Sequence, residues 1–261
     1  MTQDKPLIHS TAVVSPKANL SAGVEVGPFA VIDENVSIGR GTKVGPHAVI
    51  TGFTEIGEDN RIGVGAVIGL EPQDIAYKGQ KSYVKIGSRN NIREYVQIHR
   101  GTKEDSVTKV GDDNFLMGLC HIAHNCQIGN SIIIANSALL AGYVEIADFA
   151  FLSGNVLIHQ FCRVGKYALM RGGSGISLDL PPYCVSDGDN SVRGINVVGL
   201  ERKGFSPEKI RGIKRVYRDL FSSGTTMHNT LDSMLADNPS EEIRYFLEFI
   251  KGSTRGIVRP A

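Results

Sequence analysis

The stretch Cys120-His121-Ile122-Ala123-His124-Asn125-Cys126 packs two thiols and two imidazoles into seven residues, with His99 before it and His159 and Gln160 after it. Only seven histidines occur in the 261 residues, so proton-transfer capacity is concentrated here. Two chemistries suit these residue types. Four soft or borderline ligands at C-H-x-x-H-x-C spacing could close around zinc. Alternatively, one histidine could act as a general base, because imidazole titrates near neutral pH. The choice depends on which way each side chain points, and that is set by the elements carrying them.

Those elements are repeats of six. An aliphatic residue recurs at every sixth position from Ile8 through Ile68. The pattern resumes at Ile86, Ile92 and Ile98 and runs again from Val110 to Ile176, with Met170 the one first-place residue that is not Ile, Leu or Val. The fifth place is usually small (Ala30, Ala48, Ala66, Cys120, Cys126, Cys162), and glycine often takes the second (Gly27, Gly39, Gly45, Gly57). A fixed period means one supersecondary unit stacked many times, which outranks local propensity. Six residues suit a short flat strand and a corner, with first and fifth side chains inward and glycine easing the bend. Three units close a triangular coil, so residues eighteen apart stack at roughly 4.8 Å, and eight to nine coils form a prism roughly 40 Å long. The fold class expected is mainly β, a parallel β-helix.

This geometry bears on the two chemistries. Cys120 and Cys126 fall at inward fifth places, whereas His124 holds an outward third place, so the four ligands cannot converge on one ion. A histidine-only metal site shared between subunits, as in the β-helical carbonic anhydrases, stays as an alternative. The eighteen-residue register places Gly142 and then Gln160 beside His124. A base, an unobstructed glycine N–H for an oxyanion and an amide on one corner would serve acyl transfer. The competing reading is a non-catalytic β-helical scaffold whose corner residues merely face solvent.

Residues 71–83 and 104–109 interrupt the repeat without losing its phase, and read either as loops extruded from a corner or as tolerated surface insertions. The pattern stops at Pro181-Pro182, which divides the chain into a prism over 1–181 and a helical part over 182–261. Ser206-Pro207-Glu208 is a helix start, followed by an apolar face of Ile210, Ile213, Val216 (or Tyr217) and Leu220 ending at Gly224. Ser240-Glu241-Glu242 starts another, leading to Ile243, Phe246, Leu247 and Ile250, and residues 226–236 form a third piece. The cluster Gly172-Gly173-Ser174-Gly175 lacks the context of a phosphate loop and reads as corner glycines.

The net charge of +1 implies no whole-chain affinity for nucleic acid. No apolar stretch approaches the roughly 18 residues of a membrane span, and the polar MTQDKP start is no signal peptide. The expectation is a cytoplasmic protein whose inward cysteines form no disulfide framework.

The segments IGLEPQD (68–74), IHRGT (98–102), HIAHNC (121–126), AGYV (141–144), IHQFC (158–162), DLPPY (179–183) and GLERKGFSPE (199–208) span nearly the whole chain. Together they resemble the UDP-N-acetylglucosamine O-acyltransferases that open lipid A synthesis, which are hexapeptide-repeat left-handed parallel β-helix enzymes. The left hand is implied by the resemblance, since the general rule for parallel crossovers favours the right. The resemblance further implies transfer of a 3-hydroxyacyl chain from acyl carrier protein to the sugar 3-position, without cofactor or metal, by a homotrimer with active sites between subunits. It makes His124 the general base and Gly142 the oxyanion donor. Gln73, Asp74, His99, His121, His159 and Gln160 would contact substrate, Asn196 and Arg202 would hold the nucleotide, and Gly172 would measure the acyl chain. The related acyltransferase acting later, on the sugar nitrogen, carries an extra N-terminal domain, for which a repeat starting at Ile8 leaves no room. The basic residues Arg202, Lys203, Lys209, Arg211, Lys214, Arg215 and Arg218 would dock the acidic carrier.

Three positions depart from the family pattern. Asn125 stands where aspartate is usual and Tyr143 where histidine is usual, while Ala76 replaces a frequent lysine, with Lys78 nearby. Asn125 can orient an imidazole but cannot stabilise imidazolium as a carboxylate does. Weaker tuning of the base is expected, not lost chemistry.

Overall fold

The structure, a computed structural model, describes residues 5–222 and 227–260, the side chains of Ser222 and His228 aside. Each first-place residue sits in a short strand, and each strand pairs in parallel with the one eighteen residues on: Leu7 with Glu25, Val13 with Val31, Asn19 with Ser37. The result is three sheets of eleven, nine and eight strands, the faces of a triangular prism. At the interruptions Arg61 pairs with Asn91 and Tyr83 with Val107, twelve and six residues beyond the usual eighteen. Both insertions therefore leave the stack as loops, and the coil continues beneath them.

First-place side chains fill the interior. Ile32, Ile50, Ile68, Ile98, Ile122 and Leu140 are fully buried, with the smaller Ala30, Ala48, Ala66, Cys120, Cys126 and Cys162 between them. At about 25 cal/mol per Å² of apolar surface removed from water, this column is the main source of stability. Polar fifth places have a different reason. Asn60, Asn90 and Asn114 are buried one above another. Asn60 Oδ1 accepts the Asn90 N–H, Asn90 Oδ1 the Asn114 N–H, and Asn114 Oδ1 the Ile132 N–H, each at 2.9 Å. The ladder satisfies corner amides that the strands leave unpaired.

The role expected of the second-place glycines is corrected. They do not supply the bend. A Cβ on Gly39 would lie 2.6 Å from the Gly57 carbonyl carbon, so glycine here lets the next coil approach. The corner is turned instead by the fourth-place residue in the left-handed region, usually a non-glycine: Asn125 has φ 62° and Tyr143 φ 60°. That conformation costs a side chain roughly 1–2 kcal/mol. Corner stacking offsets it, as where Phe29 meets His47 at 5.1 Å, Tyr143 meets Phe161 at 4.9 Å and Phe149 meets Tyr167 at 4.8 Å.

Beyond Pro181-Pro182, Cys184–Ser186 still adds in parallel to Leu169–Met170, and Val192–Ile195 returns antiparallel to it. Among the described residues four helices follow: α1 (Val197–Arg202), α2 (Pro207–Ser222), α3 (Met227–Ala236) and α4 (Glu241–Lys251). The expected apolar faces are buried, Ile210, Ile213, Val216 and Leu220 on α2, Phe246, Leu247 and Ile250 on α4, with Ile243 half-buried beside them. Ser240 precedes α4 without making a side-chain capping bond, and Gly224 lies outside the described residues. The helices dock on the prism end through Arg163, whose guanidinium bonds Asp179 and the Phe249 carbonyl and lies 4.4 Å over the Phe249 ring. Among the described residues no helix is long and apolar enough to cross a membrane.

Candidate active site

His124 follows the strand His121–Ile122 of the nine-stranded sheet, whose partner on the next coil is Leu139–Leu140. The register therefore sets its imidazole on Gly142. A Cβ there would fall 2.2 Å from Cε1 and 2.5 Å from Nε2, so only glycine admits the ring. No hydrogen bond from the Gly142 N–H occurs among the described residues. One expectation needs correcting: the ring does not face solvent. It is 6% exposed, with Tyr143 edge-on at 5.4 Å and Asp74 Oδ2 at 3.6 Å from Nε2.

The ring's tautomer follows from its neighbours. Asn125 Oδ1 accepts the Thr102 N–H and the Thr102 Oγ1–H, each at 3.0 Å, and lies 3.1 Å from His124 Nδ1. An atom that accepts two such donors is oxygen, so Nδ1 carries the proton and Nε2 keeps a free lone pair. The turn itself is held by Thr108, whose hydroxyl accepts the Asn125 N–H at 2.7 Å.

Both interruptions of the repeat serve this corner. The first, 71–83, folds back to place Asp74 and is tied down by Arg100, which donates to Gly69 O at 2.9 Å, Glu71 Oε1 at 3.2 Å and Tyr77 Oη at 2.9 Å. His99 Nδ1 donates to the Glu71 carbonyl at 2.7 Å, leaving Nε2 buried and without a partner. Its ring packs on His121 at 5.1 Å. Burial, reinforced by neighbouring imidazoles, pushes both histidines below their ordinary range, His121 to about 4. Both are neutral at pH 7. The second loop follows Thr102 directly and lets it reach Asn125.

The remaining expected residues are distributed as follows. Gln73 faces a groove with His99, Arg100 and Thr51. His121 and His159 line a trough floored by Leu139 and Leu157, and His159 Nδ1 lies 3.3 Å from the Arg255 guanidinium. Gln160 comes one coil beyond Gly142, whose carbonyl accepts the Phe161 N–H. Gly172 stacks over Gly154 and Asn136 on a second corner. Asn196 caps α1, accepting the Gly199 N–H and donating to the Tyr167 carbonyl, and the exposed Arg202 ends that helix, both at the third corner. The single chain thus gathers Asp74, His99, His121, His124 and Gly142, and holds Gly172, Asn196 and Arg202 apart. In place of the absent lysine at Ala76, Lys78 turns its ammonium to the Ile75 carbonyl.

Thr102 and Arg100 were not singled out from the sequence. Their only signal is the segment IHRGT, because their partners lie across loops that break the register. The thiols of Cys120 and Cys126 point inward and donate to the Ala135 and Ala141 carbonyls, and burial pushes them up to about 11 and about 12. Among the described residues no three His, Cys, Asp or Glu side chains converge as metal ligands.

Residues 179–258 match the model of the UDP N-acetylglucosamine O-acyltransferase family, domain 2, and residues 17–52 match the bacterial transferase hexapeptide model of six repeats. An acyl-[acyl-carrier-protein]–UDP-N-acetylglucosamine O-acyltransferase of Alkalilimnicola ehrlichii is 52% identical over 255 residues, covering 97% of this chain and 99% of the relative. That of Janthinobacterium sp. is 46% identical over 260 residues with the same coverage. The fold is similar to the solved UDP-N-acetylglucosamine acyltransferase of Francisella novicida, at a TM-score of 0.93 and 42% identity over 97% of this chain and 94% of that one. The prism is accordingly a left-handed parallel β-helix.

Proposed function

The chain belongs to the UDP-N-acetylglucosamine O-acyltransferase family, and on that premise we propose that it moves a 3-hydroxyacyl chain from acyl carrier protein to the 3-position of UDP-N-acetylglucosamine, the first step of lipid A biosynthesis. The observation carrying the mechanism is the His124 imidazole, its Nδ1–H held by Asn125 and its Nε2 free beside the Gly142 backbone. The acceptor hydroxyl gives its proton to Nε2 as its oxygen attacks the thioester carbonyl carbon. The Gly142 N–H receives the developing oxyanion. Collapse breaks the carbon–sulfur bond, and the departing carrier thiolate takes the proton back from Nε2.

Asp74, 3.6 Å from Nε2, holds the acceptor hydroxyl on the base, and its charge favours the transient imidazolium. His99, neutral and with a bare Nε2, accepts a hydrogen bond from substrate, and Gln73 joins it. His121, His159 and Gln160 line the course of the sugar and acyl group. Asn196 and Arg202 hold the nucleotide and Gly172 meets the acyl tail. These last sit on two other corners, so a neighbouring prism must bring them to His124, which supports a homotrimer. Exposed cations of α2, such as Lys214 and Arg215, offer the acidic carrier a docking face.

The test is turnover by the purified protein with UDP-N-acetylglucosamine and 3-hydroxyacyl carrier proteins of several lengths, read by mass spectrometry. A product acylated at the sugar 3-position is expected. Acylation elsewhere, or none, removes the proposal.

A further inference from the structure

We propose that Thr102, with Tyr143 behind it, is a positioning residue that keeps His124 in its reactive tautomer by holding the Asn125 side-chain amide in one of its two orientations. The inference rests on His124 being the general base proposed above. A carboxylate at 125 would present an oxygen to His124 whichever way it turned. An amide has one accepting end and one donating end. Rotated by half a turn, Asn125 would aim N–H at Nδ1, move the ring proton to Nε2, and leave no lone pair for the acceptor.

Two donors oppose that rotation. The Thr102 N–H and Oγ1–H both lie 3.0 Å from Asn125 Oδ1, and Thr102, His124 and Asn125 are all buried. The Thr102 hydroxyl has a single proton, and Asn125 receives it. In the 3.0 Å contact between Thr102 Oγ1 and Tyr143 Oη, the donor is therefore Tyr143. Donors run from Tyr143 to Thr102 to Asn125 and meet the His124 Nδ1–H on one oxygen, each bond polarising the next. Both ends of this line are fixed. The Tyr143 ring is clamped between His124 and Phe161. Thr102 enters a tight loop in which the Lys103 N–H donates to Ser106 Oγ at 3.0 Å, and Ser106 Oγ donates back to Lys103 O at 2.8 Å.

The experiment uses the full chain and five variants: Thr102→Val, Thr102→Ser, Tyr143→Phe, Asn125→Asp, and Thr102→Val combined with Asn125→Asp. Thr102→Val should lower kcat about tenfold, the worth of one buried hydrogen bond, with KM for the sugar nucleotide nearly unchanged. Thr102→Ser should restore it, and Tyr143→Phe should give a smaller loss in the same direction. On the Asn125→Asp background, Thr102→Val should cost much less, since a carboxylate has no wrong orientation. Equal losses on both backgrounds would mean that Thr102 acts by packing alone, and would overturn the proposal. The His124 ring 15N resonances report the tautomer without substrate: Nδ1–H in the parent, a mixture in Thr102→Val. A tautomer unmoved by Thr102→Val also overturns it. The expected tautomer shift in a protein that turns over no substrate supports the positioning role and strikes the acyltransfer reading instead.

Discussion

His124→Ala is expected to lower turnover by about 10²–10⁴-fold, the usual worth of a general base, in the carrier-protein assay. The ring is buried beneath Asp74 and Tyr143, so the variant also vacates packed space. His124→Gln, which fills that space, separates the two effects, and near-normal activity in folded His124→Gln protein removes the residue from the mechanism. The neighbouring pair His99 and His121 makes a second, independent prediction. The folded-state pKa of His121 is depressed to about 4 by burial, against about 6.5 in an unfolded chain. Below pH 6.5 the unfolded chain therefore takes up a proton that the native state refuses. Stability attributable to this group is complete above pH 6.5 and declines as pH falls toward 4, and His99 acts in the same direction. Denaturation midpoints measured from pH 7 down to 4.5 should fall, and more shallowly in His121→Gln. Equal slopes in the two proteins would contradict the assigned burial.

At the scale of the element, the coil was legible because its rule is periodic. Ile32, Ile50 and Ile68 announce an inward column by spacing alone, and Gly142 beside His124 follows from counting eighteen. What spacing cannot supply is the path of a loop that leaves the register. Asp74 reaches the corner from inside one insertion and Thr102 from the edge of the other, and no count of residues supplies the contact that either makes there. The second-place glycines misled for a related reason: their type is clear, but whether glycine serves a bend or a close approach depends on the distance to Gly57, which is a tertiary fact. The asparagine ladder is the element's other device, and it is testable. Asn90→Leu, nearly isosteric, strands the Asn114 N–H inside the prism and leaves Asn60 Oδ1 with the backbone N–H of position 90 alone. A loss of about 1–3 kcal/mol per unpaired group is expected, seen as a lower urea midpoint, and an unchanged midpoint would mean that water or a shifted coil replaces the bonds.

For the whole molecule, the separation of the three corners motivates the proposed homotrimer. Mixing His124→Ala subunits with subunits altered at Asn196 and Arg202 should recover activity that neither has alone, because some clefts then receive intact residues from both sides. Fully active monomers in light scattering would end the trimer proposal. The role proposed for Gly172 makes a prediction about acyl-chain length. With no side chain there, longer hydroxyacyl donors should be favoured, at about 0.8 kcal/mol per buried methylene, or roughly tenfold for two carbons. Gly172→Met should reverse the order by obstruction, and an unaltered profile in a stable trimer would assign the limit elsewhere. The eighteen-residue register has one more consequence, for synthesis. Each strand docks on the coil just before it and receives the rest of its hydrogen bonds from the coil that follows, so the prism can wind up as the chain leaves the ribosome. At roughly 5–20 residues per second a coil is added every one to four seconds or so. The corner holding Asp74, Thr102, His124 and Tyr143 would then be assembled on the nascent chain before α2 has been translated. In the proposed trimer the base would wait, complete, for the neighbouring subunits that give it something to act on.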